Sequence, residues 1–505
     1  MTQIQTVLTA TLPQLQTELC LAAGIGVLLL GEMLLPSRER KALGWTAVAF
    51  SLMALILAVR APAPDSAVSV MIFADSATRW LRGLASASAL FVALLAIRSR
   101  EAERMPAGET YAFLLAGALG CCLMDSARNI LLLYLGMETV SYASYLLAGF
   151  LREDLRSNEA SLKYVLYGAV ASGCMLFGIS ILYGMTGTLD LAAMGPALAQ
   201  ATAKAGPLAL ALPFAFVVTG LGFKVSAAPF HQWTPDVYEG APTPVTAFLS
   251  VAPKAAGLLA LARLTCTGLS SGADGSPLFA WPAVLAVLSV LTMVAGNLGA
   301  LAQTNVKRLL AYSSIAHAGY MLMALSAAGA AREAIPAVLF YLAAYLAMNL
   351  GAFGVVMALS RVTGSEELSS WKGLGWRHPF LGCCMVAFLM SLTGLPPFGG
   401  FIGKFLLFKA ALAATPTSPW LYLVVAAGLV NSVIALAYYI RVAKVLFVDR
   451  AEGDGQPTAE DGRPGWLQPL AVGLLAAATL ATGLYWNLLY LAASEAARDF
   501  GRILP

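Results

Sequence analysis

Long apolar segments alternate with short polar segments along almost the whole chain. A membrane-spanning helix needs ~20 apolar residues, and the pattern predicts about fourteen such spans. They lie near residues 18–35, 42–60, 78–98, 110–125, 129–151, 160–186, 207–227 with an extension to 238, 243–264, 279–302, 307–328, 335–360, 380–416, 419–447 and 467–491. The sequence therefore predicts an all-α polytopic membrane protein.

Two of the predicted spans are interrupted. The seventh leads into a stretch with four prolines between residues 229 and 244, and the twelfth carries a Pro/Gly cluster at 394–400. Broken helix at membrane depth is tolerated only where it is buried in protein or lines a water-filled cavity. The two broken helices are therefore predicted to be the working part of a transporter.

The breaks also suggest an internal repeat. Lys224 comes just before the first break and Lys404 just after the second, 180 positions later (404 − 224). Spans four to eight and nine to thirteen would then be two five-helix units, in opposite orientation because five is odd. We predict four segments: a three-helix segment 1–105, a first repeat 106–266, a second repeat 277–447, and a polar cytoplasmic loop with a C-terminal helix 448–505.

The composition supports the membrane class. Of 505 residues, 59% are hydrophobic and 11% are charged, and the mean hydropathy is +0.76. A soluble protein carries about 25% charged residues, so this charge content could not cover a soluble surface. The net charge of +4 follows the loops and forms no basic patch, which leaves nucleic-acid binding without support.

The distribution of Lys and Arg predicts the topology. Basic residues collect in the odd-numbered loops, and residues 1–17 contain none. The positive-inside rule then places the odd loops, including the long polar loop 449–465, in the cytoplasm and both termini on the other side. An even number of spans agrees with this arrangement.

Metal and nucleotide motifs have little support. The seven cysteines lie mostly in apolar runs and form no C-x-x-C, which argues against zinc, iron–sulfur and disulfide frameworks. Lys404 follows a glycine cluster, but Phe398 and Phe405 occupy positions that a phosphate loop needs for Gly and Ser or Thr. We expect this chain to bind no cofactor.

Several ionisable residues fall inside the predicted spans. Glu138, Lys224 and Lys254 lie near mid-span, and Lys404 follows the second break. A charge at the centre of a membrane helix costs roughly 2.5–3.5 kcal/mol on insertion scales. We interpret these residues as a proton relay in which a Lys near Glu138 titrates together with it. The alternative is a set of fixed ion pairs that only hold helices together.

For the other candidates, a structural role is a serious alternative to proton transfer. Lys163, near the cytoplasmic start of the sixth span, could carry protons or snorkel to the surface. His231, in the first break, and His317, in the tenth span, are candidate relay groups, although a buried His is often a satisfied hydrogen-bonding residue. Lys409 could simply snorkel, and His378 lies in a loop.

Three segments carry a family resemblance. They are His231–Phe248 (HQWTPDVYEGAPTPVTAF), Asn305–His317 (NVKRLLAYSSIAH) and Gly394–Lys404 (GLPPFGGFIGK). With them the chain resembles the antiporter-like membrane subunits of respiratory complex I. Among these it is most similar to the subunit N branch, the counterpart of mitochondrial subunit 2. Subunits L and M and the multisubunit sodium/proton antiporters have related motifs.

The resemblance implies two inverted five-helix repeats that together form a proton channel. It also implies that NADH, flavin, iron–sulfur clusters and quinone are bound elsewhere in the complex, and that the partners are subunit M and the small K-, J- and A-type subunits. The residues that match the family's channel positions are Glu138, Lys163, Lys224, His231, Lys254 and Lys404.

The leading expectation is therefore a proton-translocating subunit of NADH–quinone oxidoreductase in a bacterial inner membrane, with both termini periplasmic. Glu138 and Lys224 would form a switch, Lys254 and His231 the central relay, and Lys404 the exit. His317 would be the counterpart of Glu138 in the second repeat. One alternative is a subunit of a Na⁺/proton antiporter, and another is a scaffold whose charges only join helices.

Overall fold

The computed structural model describes residues 12–36, 38–61, 71–270, 276–449 and 465–500. Within these ranges the chain is helical, with four isolated β-bridges between loop residues. Most of the expected cytoplasmic loop, residues 450–464, lies outside the described residues.

The prediction of an all-helical polytopic protein is confirmed. Thirteen helices of the described part are long and apolar enough to cross a membrane, and a broken pair of helices adds a fourteenth span. Spans 1 to 6 are Gln16–Leu34, Leu43–Arg60, Ser76–Ala96, Ala107–Ser126, Ile130–Ala148 and Leu155–Thr186. Span 7 consists of Ala211–Val225 and Trp233–Gly240. Spans 8 to 11 are Thr243–Arg263, Trp281–Leu301, Val306–Ser326 and Ala334–Thr363. Span 12 consists of Pro379–Thr393 and Gly399–Ala413, and spans 13 and 14 are Leu421–Phe447 and Leu467–Leu484.

Two helices differ from the prediction. A connecting helix, Leu191–Ala205, follows span 6. Asp190 caps its N-terminus, and the Asp190 carboxylate accepts a hydrogen bond from the Ala192 amide. The predicted last span, 467–491, ends instead at Leu484. A separate helix, Trp486–Arg498, then packs on spans 3 and 11. This last helix is amphipathic and carries charged residues, so it suits a surface position better than the bilayer interior.

Burial separates a core from a lipid-facing shell. Span 8 is wholly buried, and spans 10 and 11 are almost wholly buried. In spans 1, 2, 6, 13 and 14 less than 40% of the residues are buried. The three innermost spans carry polar groups that lipid would not tolerate, and surrounding helices cover them.

Spans 5 and 10 carry similar features, and so do spans 6 and 11. Asn129 caps span 5 and forms an isolated β-bridge with Asp190. In the same way, Asn305 caps span 10 and forms an isolated β-bridge with Glu367. Spans 6 and 11 both end on a glycine in the left-handed conformation. Consecutive spans alternate in direction, so these pairs lie on opposite faces. We call them the odd-loop face and the even-loop face, after the connections that each carries.

Candidate functional site

The two broken spans interrupt the helix in similar ways. In span 7 the helix ends at Val225, and Ser226 adopts a left-handed conformation with φ 63°. In span 12 the helix ends at Thr393, and Gly394 is left-handed with φ 89°. The end of a helix leaves carbonyl groups without intrahelical partners. One of these, the carbonyl of Thr393, accepts a hydrogen bond from Lys404 Nζ at 2.9 Å.

Lys224 lies buried at the first break. Its Nζ donates to Ser141 Oγ of span 5 at 2.8 Å, and its side chain passes Gly257 of span 8. Glu138 is one turn before Ser141, and its Oε1 is buried without a hydrogen-bond partner among the described residues. The direct Glu138–Lys224 pair expected from the sequence is therefore not present: Ser141 takes the contact, while Lys224 interacts with Glu138 through space.

Lys254 joins the two halves of the molecule. It is buried in span 8, and its Nζ donates to Ser314 Oγ of span 10 at 2.5 Å. It also lies over the ring of Tyr238, 5.6 Å from the centroid. His231 lies half-buried in the first break, with Nδ1 unpartnered in the described part of the chain, and interacts electrostatically with Lys254.

The second half contains a hydrogen-bonded histidine. His317 is buried, with Nδ1 2.5 Å from the hydroxyl of Tyr341 and Nε2 3.2 Å from that of Tyr439. Lys404 is buried beside it, with Nζ 4.7 Å from the ring centroid of Tyr320. His317 interacts electrostatically with both Lys404 and Lys254.

Five ionisable side chains of the spans make up what we call the central row: Glu138, Lys224, Lys254, His317 and Lys404. Glu138 is half-buried and the other four are buried. Electrostatic interactions join Glu138 to Lys224, and join His317 to Lys254 and Lys404, while Lys224 packs on Gly257, one turn after Lys254 on span 8. The row enters at span 5, crosses spans 7, 8 and 10, and ends in span 12. Each lysine keeps one hydrogen-bond acceptor within 3 Å. Ionisable groups inside membrane spans commonly mark proton relays and ion pathways.

The structure places Lys163 away from the central row. It lies at the odd-loop face with its side chain 38% exposed, and its Nζ is 2.6 Å from Asp236 Oδ2 and 2.7 Å from Glu159 Oε1. Arg308 pairs with Asp236 at 2.7 Å and with Glu239 at 2.8 Å. We call these five residues the surface cluster. The location favours an ion-pair partner at the surface over a buried relay residue.

Lys409 and His378 also lie apart from the central row. Lys409 is exposed on span 12, and His378 lies in the turn before that span. Sequence reasoning missed Ser141 and Ser314, the acceptors of two row lysines. Ser141 could have been found, because it is three residues after Glu138 and thus one helical turn away.

The sequence matches a known family of membrane proteins. Residues 127–435 match the family described as NADH:quinone oxidoreductase/Mrp antiporter, transmembrane. The chain is 40% identical over 494 residues to NADH-quinone oxidoreductase subunit N of Anaeromyxobacter sp., covering 93% of each sequence. It is 47% identical over 394 residues to subunit N 2 of Sorangium cellulosum, covering 77% of this chain and 76% of that protein.

Two solved membrane-protein chains have a similar fold. A chain of respiratory complex I from Thermus thermophilus with bound aureothin superposes with a TM-score of 0.75 at 34% identity, covering 94% of this chain and 99% of that one. A chain of the Mrp complex from Dietzia sp. superposes with a TM-score of 0.78 at 22% identity, covering 97% and 98%. At the lower identity the likeness shows the fold alone.

Proposed function

Because this chain belongs to the NADH:quinone oxidoreductase/Mrp antiporter membrane family, we propose that it translocates protons as the N-type subunit of a bacterial NADH–quinone oxidoreductase. Relatives at 40–47% identity bear the name NADH-quinone oxidoreductase subunit N, and two others, at 46% and 40%, bear the name NAD(P)H-quinone oxidoreductase subunit 2. The Mrp likeness is at 22% identity. That difference favours this function over a Na⁺/proton antiporter.

The central row is the observation that supports the proposal. A scaffold needs ion pairs, in which each buried cation meets an anion. Lys224, Lys254 and Lys404 instead donate to two serine hydroxyls and one backbone carbonyl. A neutral acceptor holds a lysine in place and still lets it lose its proton.

The chemistry of the row is proton transfer between neighbours. Glu138 Oε1 can take up a proton, and the charge on Glu138 then acts on Lys224 through space. Release of a proton by Lys224 leaves a neutral amine that Ser141 can still hydrogen-bond. Lys254 carries the change of protonation from the first proposed repeat to the second, because its acceptor Ser314 belongs to span 10. His317 and Lys404 continue the route through the second repeat, and Lys404 would be its exit.

The energy would come from quinone reduction in other subunits, since this chain is proposed to bind no redox cofactor. Other membrane subunits are its partners, as the multi-subunit complexes of its structural neighbours indicate. We propose that these are the M-type subunit and the small K-, J- and A-type subunits. We also propose a bacterial inner membrane, periplasmic termini, and the segment boundaries 1–105, 106–266, 277–447 and 448–505.

The experiment is NADH-driven acidification of inverted membrane vesicles that carry Lys224→Ala, with complex assembly checked on the same membranes. Lys409→Ala is the matched control, because Lys409 is an exposed lysine on a span of the same chain. We expect Lys224→Ala to lose acidification with assembly intact and Lys409→Ala to retain it. Full acidification with Lys224→Ala would make Lys224 a structural residue and refute its place in the route.

A further inference from the structure

A second group of buried charged residues lies near the even-loop face, apart from the central row. Its members come from spans 1, 3, 4 and 8 and from the residue before span 3, and each is at most 7% exposed. We call them the outer cluster: Glu18, Asp75, Arg82, Asp125 and Arg263.

Two arginines of the outer cluster are each paired with one carboxylate. Arg82 Nε donates to Glu18 Oε1 at 2.7 Å. Arg263 binds both carboxylate oxygens of Asp75 through two nitrogens, each at 2.8 Å. The ring of Phe73 covers the Arg263 guanidinium at 4.5 Å. These two pairs are electrically balanced.

Asp125 is the third carboxyl group of the cluster and has no such pair. Its Oδ1 is buried without a hydrogen-bond partner among the described residues, while its backbone carbonyl accepts from Arg263 Nε at 3.1 Å. Its side chain interacts electrostatically with Arg263, Arg82, Glu18 and Asp75.

The charge count indicates what Asp125 can bind. With three carboxylates and two guanidinium groups, the cluster would carry one uncompensated negative charge, and burying such a charge costs several kcal/mol per ion. One proton on Asp125 makes the cluster neutral. A metal cation needs several oxygen ligands, and Glu18 Oε1 and both carboxylate oxygens of Asp75 already accept hydrogen bonds from the arginines. A proton bonded to Oδ1 of Asp125 needs no further ligand.

The outer cluster is linked to the start of the central row through span 4. Cys121 lies one turn before Asp125, is fully buried, and interacts electrostatically with both Asp125 and Lys224. From Asp125 the contacts continue through Arg263 to Asp75, which immediately precedes span 3 at the even-loop face.

We propose that Asp125 is a proton-transfer residue that accepts a proton from Lys224 and releases it towards the even-loop face, giving the first repeat an outlet of its own. In the resting state Asp125 carries a proton and the outer cluster is neutral. In the first step the O–H bond at Asp125 Oδ1 breaks and the proton leaves past the Arg263–Asp75 pair, so Asp125 becomes negatively charged. In the second step an N–H bond of the Lys224 ammonium breaks, the proton passes Cys121 on span 4, and an O–H bond forms again at Asp125 Oδ1, so both Lys224 and Asp125 are neutral. This inference rests on the proposed function.

The test measures the ratio of acidification to NADH oxidation in inverted vesicles that carry the assembled complex with Asp125→Asn. The matched control is Glu495→Gln, because Glu495 is an exposed carboxyl group on the helix that follows span 14. Loss of a positioned acid slows a proton transfer by about 10²–10⁴-fold, so we expect the ratio to fall in Asp125→Asn and to stay at the wild-type value in the control. An unchanged ratio overturns the proposal.

A spectroscopic readout separates proton transfer from a structural role. Infrared difference spectra recorded on NADH addition should contain the C=O band of a protonated carboxylic acid that is absent in Asp125→Asn. Should Asp125→Asn fail to assemble, Asp125→Glu decides: a shifted band supports the assignment, and an unshifted band overturns it. Lys224→Ala is measured in parallel. If Lys224→Ala stops acidification and Asp125→Asn does not, the outlet is wrong and the proposed function stands.

Discussion

Ser314 gives the sharpest prediction for the central row. Its hydroxyl accepts the hydrogen bond from Lys254 Nζ at 2.5 Å, and both residues are buried. This contact joins span 8 to span 10 and therefore the two proposed repeats. We predict that Ser314→Ala interrupts proton movement between the halves and leaves the helices packed, because it removes a single oxygen atom.

The magnitude follows from the charge on the donor. A hydrogen bond that involves a charged group contributes about 1.5–3 kcal/mol, and every 1.4 kcal/mol is tenfold in an equilibrium constant. Protonation of Lys254 should therefore become roughly 10- to 150-fold less favourable in Ser314→Ala. The nearby ring of Tyr238, with its centroid 5.6 Å from Nζ, compensates little of this loss.

The assay is NADH-driven acidification of inverted vesicles, with assembly verified by native electrophoresis of the same membranes. Ser314→Thr is the first control, because it keeps a hydroxyl group at the same position. Ser313→Ala is the second, because the Ser313 hydroxyl contacts Tyr439 and not Lys254. We expect acidification to be lost in Ser314→Ala and largely kept in Ser314→Thr. Equal acidification by Ser314→Ala and wild type would refute the link between the halves.

Three further predictions concern packing and charge. Arg263→Met should destabilise the protein by about 3–5 kcal/mol, because it leaves Asp75 charged and without its ion-pair partner. Thermal unfolding of the purified complex measures this loss. If the double variant Arg263→Met with Asp75→Leu is no more stable than Arg263→Met alone, the prediction is contradicted. Burial alone would raise the pKa of Asp75, but the adjacent Arg263 guanidinium outweighs burial and the pKa lies below its ordinary value. The ion pair should therefore stabilise the fold fully above about pH 3.9, the pKa of Asp in the unfolded state. This stabilisation should be lost as the pH falls through the lower folded-state pKa. If unfolding temperatures of Asp75→Asn depend on acid pH in the same way as those of the wild type, the prediction is wrong. Gly257→Ala should impair acidification, since a Cβ there would lie 2.7 Å from Val225 Cγ1 beside Lys224 and overpacking costs about 1–3 kcal/mol; Gly26→Ala, with open space around it, is the control and should behave as wild type.

The number of spans and the positions of the breaks depend on properties of short sequence segments. Lipid demands about 20 apolar residues per span and disfavours interrupted helix, so the fourteen spans and both breaks could be predicted from hydropathy and from the Pro/Gly clusters. Lys224, Lys254 and Lys404 were recognised because a charge at mid-membrane is costly and rarely accidental. The hydropathy pattern predicts one span over 467–491 instead of span 14 and a separate helix, because Tyr485, where the chain turns, is itself apolar enough to continue the pattern.

The partners of the charged residues could not be predicted, because they lie far apart in sequence. Lys224 bonds to a serine 83 positions away, and Lys254 to a serine 60 positions away. A serine in a membrane helix is unremarkable until packing brings a lysine to it. Lys163 illustrates the same limit, since its position in the sequence fits both a relay residue and a surface ion pair. Its contact with Asp236, 73 residues away, favours the ion pair.

The sequence by itself determined how many times the chain crosses the membrane, where its helices break, and which charged residues lie at mid-span. These properties depend on the free energy of transferring each segment into lipid, which neighbours along the chain decide. Only the tertiary structure decided that neutral acceptors hold the row lysines, and that Asp125 Oδ1 is buried near two arginines without a hydrogen-bond partner in the described part of the chain. Those contacts depend on how spans pack against one another, and residues such as Asp125 and Arg263, near the ends of their spans, look like ordinary snorkelling charges until that packing is known.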